Sequence, residues 1–515
     1  VSSAAHLKGK RHISCEELTN TDMVFNDTLE ILKIAGDQSA LSGVTHPVFH
    51  GFNYSPPDAP FPGWIRYGTY FNEKNTWWPY FRKFTDYKAR MSALLQQGDM
   101  FADIAVLPPV ADMWSIFGAQ NEPFPSLMYP TWMTFVWEVI HQNGNACDYV
   151  SEQVIMEATV DGGWMRYGPR KYHTLFLARV ERMDPAVVRK LRDFVAGGGR
   201  IFCIETMPDR STGWQDHERR DAEVRKAVEE MKKFPDRFIL LKRPEKGWLL
   251  WYKDIQQQYG ITPYVGIDNP DAFVTQVRYQ AGKTEVLFFI NSSVEKGYRM
   301  NLTVHKDIAA GRQAWVWDAE TGDRWHIGSG TERIALELGP AESRLIVFDG
   351  EKRGAAWRPT PVGTGQSLTG VTGVWNAEFR HIDGTVKSVA LGTLKDLKDM
   401  PEWTAFSGVI TYRIAFTVGR ELPGWLNLGK VAGVSEVVLN GKVLEVKWYG
   451  RRIFPVTGVV QAGENVLEVK VATSMGNYMK TLKDNPVAQY WTNEKRKDQP
   501  IQSMGLIGPV TIYPL

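Results

Sequence analysis

The stretch Ser3-Ala4-Ala5-His6-Leu7-Lys8-Gly9-Lys10-Arg11-His12-Ile13-Ser14-Cys15-Glu16-Glu17-Leu18-Thr19 decides the fold. It reads as a helix end, then an apolar strand that stops on acidic side chains, which is how a barrel places a carboxylate at its mouth. Working outward, a second apolar strand ends in His50-Gly51-Phe52-Asn53-Tyr54-Ser55-Pro56, and an aromatic run through Trp64, Tyr67, Tyr70, Trp77 and Trp78 follows. A carboxylate, a histidine and flat aromatic faces together mark a candidate sugar site. His50, Asn53 and Tyr54 stand at the strand end as expected substrate contacts, His50 either donating to sugar hydroxyls or orienting a carboxylate, with a histidine satisfied inside the loop as the structural alternative. Trp64, Trp77 and Trp78 lie in a long loop whose packing cannot absorb every ring, so at least one is expected to wall a subsite. His6, at the helix-side entry of the first strand, reads as structural.

Residues 1–100 alternate strand, helix, strand, loop and helix, with extended segments at 11–15 and 46–52 and helices at 28–42 and 79–97. Such alternation implies parallel strands under helices, with functional loops at the carboxyl ends of the strands. A complete (β/α)8 barrel needs roughly 250 residues. Residues 1–100 therefore read as the C-terminal part of such a barrel, its remainder on sequence outside this chain. Residues 101–258 read as a flavodoxin-like α/β domain: a strand at 172–177, a helix opened by Asp184-Pro185, Gly197-Gly198-Gly199 closing it, and a strand at 200–205. The glycines follow the helix, whereas a phosphate-binding loop must precede one, so they cap it instead. From 259 to 352 the period switches to two, with strands at 272–279, 284–290, 298–304, 313–318, 333–338 and 343–348, a β-sandwich. A loose Gly/Pro/Thr stretch at 354–370 leads into a second all-β unit, within 353–515. Its plainest strands are 408–416, 434–439 before the Asn440-Gly441 turn, and 465–471. The class is multidomain α/β plus all-β.

The chain of 515 residues is too long for one core, since domains run to about 100–200 residues. With 60 Lys+Arg against 58 Asp+Glu, the net charge of +2 implies no polyanionic partner, and nucleic acid is excluded as one. No apolar run approaches the ~20 residues that span a bilayer. Cys15, Cys147 and Cys203 are far apart and flanked by apolar residues, so they read as buried free thiols, with Cys15 packed against a helix. No G-x-S-x-G elbow, HExxH or Cys/His cluster supports a serine hydrolase or a zinc site. Most of the 19 tryptophans are expected in sandwich cores, Trp403 and Trp448 included. Lys495-Arg496-Lys497 reads as a solvated loop.

Taken in order, SAAHLKGKRHISCEELT, HPVFHGFNYSPP, PGW and NTWWP resemble the α-L-rhamnosidases of glycoside hydrolase family 106. The last unit is similar to their galactose-binding-like jelly-roll sandwich, through 408–416, LNGK at 439–442 and AGEN at 462–465. The resemblance implies an inverting exo-enzyme that removes terminal α-L-rhamnose, depends on calcium and works in the periplasm or outside the cell. It places Glu16 at the Glu of the family's E-x-x-T strand end and so implies that Glu16 is the general base. The general acid would lie on an upstream barrel segment, a partner without which the chain should be inactive. Calcium ligands are not readable, although Asp58, Asn72, Glu73 and Asn75 are available. Glu17 follows Glu16 directly, and adjacent strand residues face opposite sides, so one of the two points into the mouth. Glu16 takes the catalytic role and Glu17 a substrate contact. The Glu16 pocket should be apolar enough to tune a base. Two rival readings remain open: a related barrel exo-glycosidase acting on another glycone, or a non-catalytic carbohydrate-binding scaffold.

Overall fold

A computed structural model describes residues 1–19, 24–64, 69–117, 130–329, 331–358, 369–421, 424–489 and 499–514. Tyr67, Lys495, Arg496 and Lys497 and most of the 354–370 stretch lie outside the described residues. The molecule is mixed α/β with many sheets.

Helix α1 (Ser2–Leu7), strand β1 (Ser14–Glu17), helix α2 (Leu29–Leu41), strand β2 (His46–Phe49) and helix α3 (Phe81–Leu95) follow one another in the first hundred residues. Thr28 caps α2, its hydroxyl accepting from the Ile31 N–H at 3.3 Å, which is why the helix starts where the sequence predicts. Strands β1 and β2 pair in parallel with Glu16 opposite Val48 and Glu17 opposite Phe49. Opposite residues share a face, so the strands sort their side chains into two sets. Phe49 faces the helices and packs on Phe84 and Phe71, with ring centroids 5.4 and 5.5 Å away. Val48 on the other face is exposed. Among the described residues the pair has no third strand.

One core joins α2 and α3 to both all-β units: Leu32, Phe84, Tyr87, Val277, Phe288, Trp315 and Trp448 belong to a single buried cluster. Polar groups lock the same junction. Lys33 is fully buried, and its ammonium donates to Asp37 at 2.6 Å, to the Ala341 carbonyl at 3.0 Å and to Ser343 Oγ at 3.0 Å. The Tyr87 hydroxyl donates to the other Asp37 oxygen at 2.7 Å.

Five parallel strands follow, in the spatial order Phe238–Leu241, Arg200–Ile204, Thr174–Ala178, Ile104–Leu107, Cys147–Tyr149. Counted along the chain this is 2-1-3-4-5, a doubly wound order. Asp184 caps the helix Pro185–Ala196, and Gly197 ends it ahead of the next strand. The sheet is tied to the first residues through His6, buried, whose Nδ1 lies 3.0 Å from Asp148 Oδ1. Asp148 is also held by Tyr172 and Arg170, so His6 is structural.

Residues 265–349 form a three-stranded antiparallel sheet and five of the six strands of a larger one. Asp99–Met100, which carried no strand signal, joins the larger sheet at the edge of Val274–Ala281. Two residues leaving α3 cannot show a period, and an open edge recruits them. Arg324–Ser329 also pairs as a strand although its residues do not alternate; a register shift between Ala314 and Trp315 of its partner accommodates it. Sheets of six, four and two strands make up the C-terminal region.

Arg451 clamps the two all-β regions together, donating to both Glu342 oxygens at 2.8 and 2.7 Å and to Glu337 at 2.8 Å. Burial alone would raise the Glu342 pKa, but the Arg451 bonds and charge, with Arg344 and the Gly339 amide, outweigh it and bring it down to about 2 from 4.5. A depressed carboxyl stabilises the fold above its unfolded pKa and loses that contribution as pH falls toward the folded one. We expect about 3 kcal/mol of stability to vanish between pH 5 and pH 2 from this group. Urea unfolding across that range should show a shallower acid limb in Glu342→Gln.

Candidate active site

Strand β1 ends because Leu18 adopts a left-handed conformation, φ +63°, so the ladder stops at the acidic pair. The two carboxylates therefore part company. Glu16 lies on the open face, its side chain 65 % exposed, at the carboxyl end of the parallel pair. The Thr19 hydroxyl, just past the kink, donates to Glu16 Oε1 at 2.5 Å. His50, at the end of β2, places Nδ1 3.2 Å from Thr19 Oγ1 and 3.4 Å from Glu16 Oε1. Because the threonine proton points to the carboxylate, Nδ1 must carry the proton it shares with Thr19. Glu16 Oε2 has no partner among the described residues, which leaves one oxygen of an anchored carboxylate for a water.

Glu17 faces the other way. It is 3 % exposed, and Lys88 from α3 sits 3.2 and 3.1 Å from its two oxygens. Burial raises its pKa, against the opposing pull of Lys88. Lys88 also donates to the Gly36 carbonyl at 2.8 Å, and it passes so close to α2 that a Cβ at position 36 would lie 2.8 Å from its Nζ. The expectation of a substrate contact at Glu17 is thus corrected: it is an internal ion pair that fastens β1 to α2 and α3.

The aromatic residues divide in the same manner. Trp77 is 2 % exposed and donates from Nε1 to the Asp27 carbonyl at 2.8 Å, so it is a core residue and not a subsite wall. Trp78 is half-buried and stacks on Phe81, centroids 5.1 Å apart. Tyr54 and Trp64 are 66 % and 62 % exposed. The Trp64 N–H donates to Ser55 Oγ at 2.7 Å, which folds the loop back on itself. Asn53 is half-buried, and its carbonyl accepts from Asn72 at 3.0 Å. Phe52, exposed and 6.3 Å from Trp78, joins this aromatic surface. The C-terminal region braces the loop from behind, with Asn485 donating to the Phe61 carbonyl at 2.9 Å and Phe61 packing on Tyr478.

Sequence reasoning missed two of these residues as functional. Thr19 carried a signal, as the Thr of the E-x-x-T strand end, but received no role there. Phe52 carried none beyond its place in the loop. Cys15 is a correction of another kind: it shares the Glu17 face yet is exposed, because no further helix covers β1 there, while Cys147 and Cys203 are buried. Burial, then the charges of Glu17 and Glu16, push its thiol pKa up, so it is a slow nucleophile. A thiol-disulfide reagent should titrate one equivalent in the native chain and three after denaturation, with Cys15→Ser abolishing the first. Among the described residues the neighbours of Glu16 Oε1 are a hydroxyl and an imidazole, where an apolar pocket was expected.

A calcium ion takes about six to eight oxygens. The side-chain amides of Asn72 and Asn75 donate to the backbone carbonyls of Asn53 and Tyr70, and Asn72 Oδ1 accepts from the Lys74 N–H at 3.2 Å. Among the described residues no three His, Cys, Asp or Glu side chains converge. Among the described residues, the side chains of Asn72 and Asn75 are thus engaged within the loop.

A carboxylate and histidine at adjacent parallel strand ends, bordered by exposed aromatic rings, are the equipment of a carbohydrate-active protein. The chain matches glycoside hydrolase family 106, alpha-L-rhamnosidase, over residues 1–329 and belongs to that family. It is 25 % identical over 367 residues to a protein of Formosa agariphila described as "Putative beta-glucuronidase", covering 68 % of this chain and 28 % of that one. Its fold is similar to that of a rhamnosidase from Novosphingobium sp. PP1Y, with a TM-score of 0.66 at 24 % identity, over 99 % of this chain and 48 % of the other. This chain therefore spans about half the length of the rhamnosidase and under a third of the curated relative. No helix among the described residues is long and apolar enough to cross a membrane.

Proposed function

We propose that this chain carries the general-base half of an exo-acting, inverting glycoside hydrolase that releases terminal α-L-rhamnose from poly- or oligosaccharides. The observation that carries the reading is Glu16, held on one oxygen by Thr19 and His50 and, among the described residues, open on the other, on the exposed face of a parallel strand pair. Glu16 removes a proton from the attacking water as the water oxygen bonds to the anomeric carbon. The glycosidic bond breaks with its electrons on the leaving oxygen, which a second carboxyl protonates. Inversion sets the two carboxyls about 6.5–9.5 Å apart. The acid belongs across the open face, on a barrel segment outside this chain that pairs with the free edges of β1 and β2. Tyr54, Trp64, Trp78, Asn53 and His50 contact the sugar. The enzyme works in the periplasm or outside the cell, where polysaccharide is met.

The test uses the polypeptide that joins this chain to its barrel segment, with p-nitrophenyl α-L-rhamnoside followed by NMR. The first product should be β-L-rhamnose. Initial release of the α anomer would reject inversion. The name of the Formosa agariphila relative favours a second reading, the same chemistry on a uronic acid glycone. Turnover of an aryl β-glucuronide in preference to the rhamnoside would establish it.

A further inference from the structure

At the amino-terminal side of the five-stranded parallel sheet lies a cleft of about 530 Å³. Arg170, Lys171, His173 and Arg200 line it together with Trp164, against a single carboxylate, Asp103. That carboxylate is already engaged: the Ala146 N–H and the Asn145 amide donate to it at 2.9 and 2.5 Å. Arg170 is engaged too, its Nε 3.2 Å from Asp148.

The other two cations are not neutralised. Arg200 donates to the Tyr259 carbonyl at 2.6 Å, and Lys171 lies over the Trp164 ring at 5.1 Å; among the described residues neither has a carboxylate within 4.0 Å. They face the same space because Arg200 opens its strand beside Thr174 and its N–H donates to the His173 carbonyl at 3.0 Å. Burial, with the charges of Arg200 and Arg237, depresses the His173 pKa, so this imidazole is neutral at pH 7 and adds a donor and an acceptor. Its ring meets the Trp164 indole edge-on at 5.1 Å. Two like charges in a partly enclosed cleft repel each other, and an oxyanion between them relieves that repulsion while accepting charge-assisted hydrogen bonds. The volume falls within the range of about 300–1,000 Å³ for small-molecule sites, far too small for a polyanion helix. Lys171 covers one face of the half-buried indole, so a pyranose packs its C–H groups on the part of the ring that Lys171 leaves open.

We propose that this cleft binds an acidic saccharide, a sugar bearing a carboxylate or a sulfate ester, with the oxyanion between Lys171 and Arg200 and the ring against Trp164. The site is independent of the Glu16 assignment and needs no barrel segment. Isothermal titration of the full 515-residue chain tests it with methyl β-D-glucuronoside, methyl β-D-galactoside 6-sulfate, methyl α-L-rhamnoside and inorganic sulfate. One or both acidic glycosides should bind, more weakly as NaCl rises. Lys171→Glu, a surface change that leaves the fold intact, should weaken that binding about tenfold or more. Trp164→Ala should weaken it as well, with little effect on sulfate. Three results would overturn the proposal: neither acidic glycoside binding, the neutral glycoside or free sulfate binding as tightly as the acidic sugars, or Lys171→Glu leaving affinity unchanged.

Discussion

Glu16→Gln is expected to lower rhamnoside hydrolysis by a factor of about 10²–10⁴ in the polypeptide that includes the barrel segment, the usual contribution of a positioned general base. The same substitution should leave thermal unfolding almost unmoved, because the carboxylate is mostly exposed and its loss strands no buried charge. Glu17→Gln should behave in the opposite way. Its removal leaves the Lys88 ammonium buried with the Gly36 carbonyl as its remaining strong acceptor, a loss of about 3–5 kcal/mol for a broken interior pair. Any activity that survives in folded Glu17→Gln protein should be close to normal. Denaturant unfolding and initial rates on the two variants separate a chemical role from a structural one. Full activity in Glu16→Gln would end the general-base assignment.

The second large effect lies at Lys33, which no part of the chemistry touches. Lys33→Met deprives Asp37 of its 2.6 Å partner inside the junction of α2, α3 and the all-β regions, and about 3–5 kcal/mol of stability should go with it. Adding Asp37→Leu should recover part of that loss, since a well-packed apolar pair avoids the desolvation that the ion pair suffers. Urea midpoints for the two single variants and the double variant measure the coupling directly. Additive effects would show that the residues do not act as a unit. The consequence for function is mechanical: α2 and α3 are the supports on which the face opposite Glu16 rests.

Much of the architecture was legible because its signals are local. Thr28 and Asp184 announce helix starts through side chains that reach the next turn, and Tyr298–Val304, Arg333–Leu338 and Val434–Leu439 show their period of two within a few residues. Strands such as Asp99–Met100 and Arg324–Ser329 exist only because a neighbouring edge offers hydrogen bonds, and no local pattern encodes a distant edge. At the site, the acidic strand end, the histidine and the aromatic loop were all readable. The roles of Glu17 and Trp77 were not, since their burial is set by Lys88 and by the Asp27 carbonyl, residues remote along the chain.

Residue order alone was enough to place a carboxylate at a strand terminus, because backbone period and capping chemistry act over a few positions, and the motifs around it carried the resemblance to a sugar-handling family. Which of two adjacent acids meets solvent depended on the whole fold. The left-handed turn at Leu18 and the helix that brings Lys88 under β1 divide them, burying one charge against its counterion and holding the other on an open face beside His50.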